Sequence, residues 1–275
     1  MLFVKKFEFK NIDLIYASKT YASLRASVEG AGFLDRSYFY YSILMVFTFG
    51  GYFSSLLAIF FFQNYVLLAL SCLGFTFFSI QVGGLMHDSG HRAVFNKPIN
   101  NDILGYICGG FLGMVYDNWK TRHNAHHAHP NEKEEDPDIE FPLIATSKEL
   151  YEKKKGLEKI IIKYQAYYYY PLGAIVSFSN RLGTISYFLK NRSAKNWWKV
   201  LIYLAGLILL FPLPFIIFTP LKALFVFLIV HITSGIYLAN IFAPNHKGMP
   251  EVKKGTRLSF LEQQITTSRN VKGGL

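Results

Sequence analysis

Six of the chain's eight histidines fall between positions 87 and 129. His87 and His91 stand four apart, a spacing that puts both imidazoles on one face of a helix. His123, His126 and His127 stand at i, i+3 and i+4, again one helical face. A transition-metal site requires neutral ring nitrogens converging from short rigid elements, each ring oriented by a hydrogen-bonding partner. Asp88, Asn124 and Asp136 are near enough in sequence to act as such partners. Taken alone, an H-x-x-x-H pair is often no more than a polar helix end. An H-x-x-H-H triplet is harder to dismiss, and two groups together favour metal. Imidazole ligands suit iron, zinc, copper and nickel alike. The Glu-x-x-His pattern of soluble di-iron bundles is absent.

Those histidines must be positioned by an unusually apolar chain. Of 275 residues 51% are hydrophobic and only 17% charged, with a mean hydropathy of +0.22. Four stretches, 40–62, 65–86, 200–218 and 223–243, carry almost no charge. Each is about twenty residues long, enough to cross roughly 30 Å of hydrocarbon as a helix. The net charge is +11, yet all but Lys222 of the 29 Lys and Arg lie on one side of the resulting topology. That asymmetry is the positive-inside pattern, and it marks the basic face as cytoplasmic rather than as a nucleic-acid surface. Cys72 and Cys108 lie far apart in apolar sequence and fit a reducing compartment. Residues 1–38 lack a signal-peptide core, so the first span is expected to act as the insertion signal.

The expected architecture is an all-α membrane protein with four transmembrane helices in two hairpins and a cytosolic helical cap. Residues 1–38 form a cytosolic N-terminal segment, and 39–86 a first hairpin turning at Gln63 and Asn64. Residues 87–198 form the cap, 199–243 a second hairpin, and 244–275 a cytosolic tail. Within the cap, residues 103–115 are apolar, Gly-rich and too short to span, as in a re-entrant or interfacial helix. Residues 132–159 read as a solvated charged face. The tyrosines at 167–170 and the pair Trp197 and Trp198 read as interfacial anchors. His231 stands fifteen residues before His246, about 22 Å along a helix. It is expected to make a neutral interhelical hydrogen bond rather than reach the same metal. His129 is expected to be structural or headgroup-facing.

H-D-S-G-H at 87–91 and H-N-A-H-H at 123–127 resemble the first two histidine boxes of the membrane fatty acid desaturases. A-H-P-N at 128–131, D-P-D-I at 136–139 and A-P-N-H-K-G-M at 243–249 extend the resemblance, particularly to bacterial acyl-CoA or front-end desaturases. The resemblance implies a four-helix bundle under a cytosolic cap and a di-iron centre of two non-haem irons using dioxygen as co-substrate. It implies His87, His91, His123, His126, His127 and His246 as metal ligands, with Asn245 near a metal-bound water. The implied reaction inserts a cis double bond into a fatty acyl chain on CoA or lipid, with two electrons. Those electrons would come from a ferredoxin or cytochrome b5, because the H-P-G-G haem motif is absent. Q-I-T-T-S-R-N at 264–270 resembles the approach to a third H-x-x-H-H box, yet no histidine follows before Leu275. A sequence truncated ahead of that box is expected, with a degenerate, inactive member as the alternative. Related membrane hydroxylases and ketolases carry similar boxes. A metal transporter is disfavoured, because most of the histidines lie outside the spans.

Overall fold

The computed structural model describes residues 13–139, 143–145, 147–190, 197–246 and 248–270. All regular secondary structure among the described residues is helical. In chain order the helices are α1 (Leu14–Gly30), α2 (Tyr38–Phe61), α3 (Tyr65–Gly90), α4 (Pro98–Leu112), α5 (Tyr116–Ala128) and α6 (Lys148–Lys153). They continue as α7 (Gly156–Lys163), α8 (Gln165–Lys190), α9 (Trp197–Leu210), α10 (Pro212–Ile217), α11 (Pro220–His246) and α12 (Phe260–Thr267). Two compact units divide the chain. One comprises residues 36–120 and 170–239, and the other residues up to 35, 121–169 and 240 onward.

In the first unit, α2, α3 and the stretch Pro220–Phe242 of α11 are long and apolar enough to cross a membrane. The connection between α2 and α3 is as short as the sequence indicates. Asn64 caps α3, its side-chain oxygen accepting from the N–H groups of Val66 and Leu67 at 2.9 and 3.2 Å. The third expected crossing differs. Residues 200–218 do not form one continuous helix, because α9 ends at Leu210 and α10 starts at Pro212. Proline lacks an N–H and its ring collides with the carbonyl one turn earlier, which breaks the helix there. Among the described residues, three continuous helices are therefore of spanning length, where four were expected. Helix α8, 26 residues long with Pro171 inside it, had no counterpart in the sequence reading.

Small residues bring these helices close. A Cβ on Gly206 of α9 would lie 2.0 Å from the Gly110 carbonyl oxygen of α4. One on Gly235 of α11 would lie 2.5 Å from the Gly173 and Ala174 carbonyl oxygens of α8. Close backbone approach of this kind is how helices pack where no hydrophobic driving force acts between them. Gly113 ends α4 in the left-handed conformation at φ +61°, and its N–H reaches the Gly109 and Gly110 carbonyls. Buried His231 makes the expected interhelical hydrogen bonds, with Nδ1 3.3 Å from Ser177 Oγ and Nε2 3.2 Å from the Leu210 carbonyl. Helix α4 has 15 residues, short of a span, as anticipated for the Gly-rich stretch. Asn101 on its buried face accepts from the Val94 and Phe95 N–H groups and donates to the Phe95 and Lys97 carbonyls, fixing the loop that follows α3. Cys72 and Cys108 are buried free thiols.

The second unit is held mainly by polar contacts. Val252 N–H donates to the Asn131 carbonyl and Lys133 N–H to the Val252 carbonyl, pairing the 131–133 segment with residue 252. Ser259 and Glu262 form a reciprocal cap at the start of α12. A small apolar cluster of Ala145, Leu150 and Ile162 steadies α6 and α7. The charged stretch 132–159 is not uniformly solvated, because Glu132 and Asp136 are buried. Each is retained inside by hydrogen bonds, as burial of a charge demands.

Candidate metal centre

Helix α3 continues to Gly90, one turn past the apolar stretch, so His87 and Asp88 are helical and His91 is the C-cap. The four-residue spacing then puts the His87 and His91 rings 4.5 Å apart between centroids. Asp88 Oδ1 lies 3.2 Å from His87 Nδ1, and Tyr41 Oη of α2 donates to Asp88 Oδ2 at 3.2 Å. Burial, and then the neighbouring His87, hold His91 below the ordinary imidazole range. A neutral imidazole is the form that ligates metal. Gly90 leaves room for the Trp119 ring, which a Cβ would meet at 2.8 Å.

The other group lies at the end of α5. His123 and His127 stand one turn apart and meet edge to face with ring centroids 4.4 Å apart, and His126 lies 5.6 Å from His127. His246, the last residue of α11, brings its ring to 4.7 Å from His126. His126 Nδ1 is 2.9 Å from Asp136 Oδ1. Burial alone would raise the Asp136 carboxyl. The bonds from His126 and from the N–H groups of Asp138 and Asn131 outweigh it and hold the group below the usual carboxylate range. His246 Nδ1 lies 3.2 Å from the Thr267 carbonyl.

Of the partners read from sequence, Asp88 and Asp136 are in contact with the expected histidines and Asn124 is exposed. Asn245 is exposed, and its carbonyl accepts from the Arg269 N–H at 2.9 Å. His129 pairs instead with Glu132 at 2.9 Å, as suits a structural residue. Sequence reasoning missed Tyr41, Asn131 and the α12 residues Gln263, Gln264 and Thr267. Gln264 Nε2 donates to the His127 carbonyl at 2.9 Å, and Gln263 Nε2 to Glu132 at 3.2 Å. Nothing near Tyr41 signals a role. Asn131 does lie within the A-H-P-N motif.

The donor chemistry fits a metal. His87, His91, His123 and His127 each carry a ring nitrogen that could ligate a metal ion. His126 and His246 have Nδ1 engaged with a carboxylate or carbonyl oxygen, the arrangement that orients a ligating imidazole. The model of the family described as "Fatty acid desaturase" matches residues 62–274. The chain belongs to the fatty acid desaturase family. Every histidine of both groups lies within that desaturase match. Curated relatives include an acyl-lipid (9-3)-desaturase of Physcomitrium patens, 28% identical over 71% of this chain and 39% of that protein. A Delta(8)-fatty-acid desaturase of Euglena gracilis is 30% identical over 59% of this chain and 38% of its own length. A Delta 8-(E)-sphingolipid desaturase of Emericella nidulans is 27% identical over 68% and 37%. The chain thus spans about two fifths of the length of these desaturases. Family membership, the histidines and three helices of spanning length together mark a membrane protein with a metal centre.

Proposed function

We propose that this chain is a membrane acyl desaturase whose His87, His91, His123, His126, His127 and His246 ligate two non-haem iron ions, with dioxygen as co-substrate. The observation that carries the reading is a desaturase family match enclosing two histidine groups already ordered by oxygen partners. Iron supplies what side chains lack, an oxidant strong enough for an unactivated methylene. In balance, two hydrogens leave adjacent carbons to form a cis double bond, and dioxygen is reduced to two waters with two electrons and two protons from a donor. The chain's own part is orientation. Asp88 and Asp136 fix imidazole rings, and helix ends α3 and α5 carry the rings in edge-to-face pairs.

The substrate is a fatty acyl group on CoA or lipid; the relatives are named for acyl-lipid and fatty-acid desaturation. The electron donor is a ferredoxin or cytochrome b5. We further propose four membrane crossings, α9 and α10 together making the third, with the basic face, both termini and the metal centre cytoplasmic. The distribution of Lys and Arg supports that orientation. The test is expression in a host supplying iron and a suitable donor, followed by mass spectrometry of fatty acids. New unsaturated species two hydrogens lighter support the reading. Products carrying added oxygen would replace it with a hydroxylase, and an unchanged profile would count against catalysis by this chain.

A further inference from the structure

We propose that Asn131 is a positioning residue that holds His126 and His246 in one tautomer, with the proton on Nδ1 and the lone pair on Nε2. The inference rests on the metal-centre reading for its purpose but not for its geometry.

A carbonyl oxygen can only accept, so the 3.2 Å contact from the Thr267 carbonyl requires His246 to donate from Nδ1. Asp136 imposes the same on His126. Its Oδ1 takes the His126 contact at 2.9 Å and the Asp138 N–H at 2.8 Å, while its Oδ2 takes the Asn131 N–H at 2.8 Å. A carboxylate accepting two backbone N–H bonds is an acceptor toward the ring as well. Both rings therefore present Nε2 as the ligating nitrogen, and the partner on Nδ1 sets that choice.

Asn131 is the residue common to both arrangements. Its backbone N–H holds Asp136. Its buried side-chain Nδ2 lies 3.1 Å from the His246 carbonyl, 3.3 Å from the Pro250 carbonyl and 3.4 Å from the Thr267 carbonyl. Two N–H hydrogens shared among three carbonyls clamp the end of α11 to the end of α12. The clamp places the Thr267 oxygen where His246 Nδ1 meets it. The backbone at Asn131 has φ +57°, a left-handed conformation that asparagine tolerates better than most residues. A purely structural turn residue would need that φ but not the three carbonyl contacts.

Substitution separates the two roles. Asn131→Gly keeps the backbone conformation and the N–H to Asp136 but removes Nδ2, whereas Asp136→Ala removes the acceptor of His126. The readout is the ¹⁵N spectrum of metal-free full-length protein labelled at histidine, which distinguishes Nδ1–H from Nε2–H rings. His126→Gln and His246→Gln assign the two signals. Wild type is expected to show both rings as Nδ1–H. Asn131→Gly should mix the tautomers of His246 alone, and Asp136→Ala those of His126. Cobalt(II) affinity should fall in each by about 10- to 100-fold, the usual loss when a partner of a ligating histidine is removed. Either ring protonated on Nε2 in wild type, or a His246 signal unchanged by Asn131→Gly, overturns the proposal. Nδ1–H rings in a wild type that takes up no cobalt would support the positioning role and refute the metal reading.

Discussion

The two units solve the problem of holding a histidine in opposite ways. In the unit built on α2, α3, α4, α9 and α11, polarity is scarce and backbone proximity does the work. Gly206 sits against Gly110 and Gly235 against Gly173, and His231 is pinned between Ser177 and the Leu210 carbonyl. In the unit around the end of α5, proximity comes from hydrogen bonds that converge on Asn131 and Asp136. Packing of the first kind is intolerant of added volume and indifferent to charge. Bonding of the second kind tolerates a change of volume but not the loss of an acceptor.

The comparison breaks first at Gly206. Gly206→Leu must drive side-chain atoms into the Gly110 backbone, which cannot move aside as a side chain would. A loss of about 3 kcal/mol or more is expected, read as a large drop in the thermal midpoint of detergent-purified protein. Next, His231→Ala leaves two buried partners, and the loss should be about 2 kcal/mol. His129→Ala should cost less than about 0.5 kcal/mol, because the His129–Glu132 pair is nearly half exposed on the histidine side. Metal content should survive both changes.

A pH-dependent effect concerns Asp102, which lies 2.8 Å from Arg92 and 2.9 Å from Lys120. Burial raises its carboxyl, but the hydrogen bonds and charges of Lys120 and Arg92 prevail and hold it below the ordinary value. A depressed folded value means the stabilisation is full above the unfolded carboxyl range, about pH 4. It is lost as pH falls through the folded value. The carboxylate is a quarter exposed, so the contribution is under about 1 kcal/mol. The gap between wild type and Asp102→Asn in thermal midpoint should therefore narrow from pH 6 toward pH 3. An effect of opposite sign is expected at exposed Gly84, where a Cβ meets nothing within 4 Å. Gly84→Ala should gain up to about 1 kcal/mol of helix stability.

Helix α3 and the histidine spacings were legible because each is a local pattern. An uncharged run of spanning length names a helix, and four residues between histidines name a face. The break between α9 and α10 was legible in principle from Pro212, but an unbroken apolar run outweighed it. Helix α8 was obscured by Pro171 and by a mixed sequence without a clean apolar stripe. The pairing of Asp136 with His126 could be guessed from nearness in sequence. The Asn131 clamp could not, because its partners lie 115 to 136 residues away, and no local pattern encodes a long-range hydrogen bond. For the same reason, burial of Glu132 was invisible in the charged run, because its donor Gln263 lies 131 residues away.

The proposed function depends on both histidine groups ligating metal. Bound metal per chain, measured on purified wild type, His87→Ala and His123→Ala by elemental analysis after iron or cobalt loading, tests this most directly. Each substitution alone should lower the metal content, although the two residues belong to different boxes. Full metal content in either variant, with the protein still folded, would contradict the ligand role of that histidine.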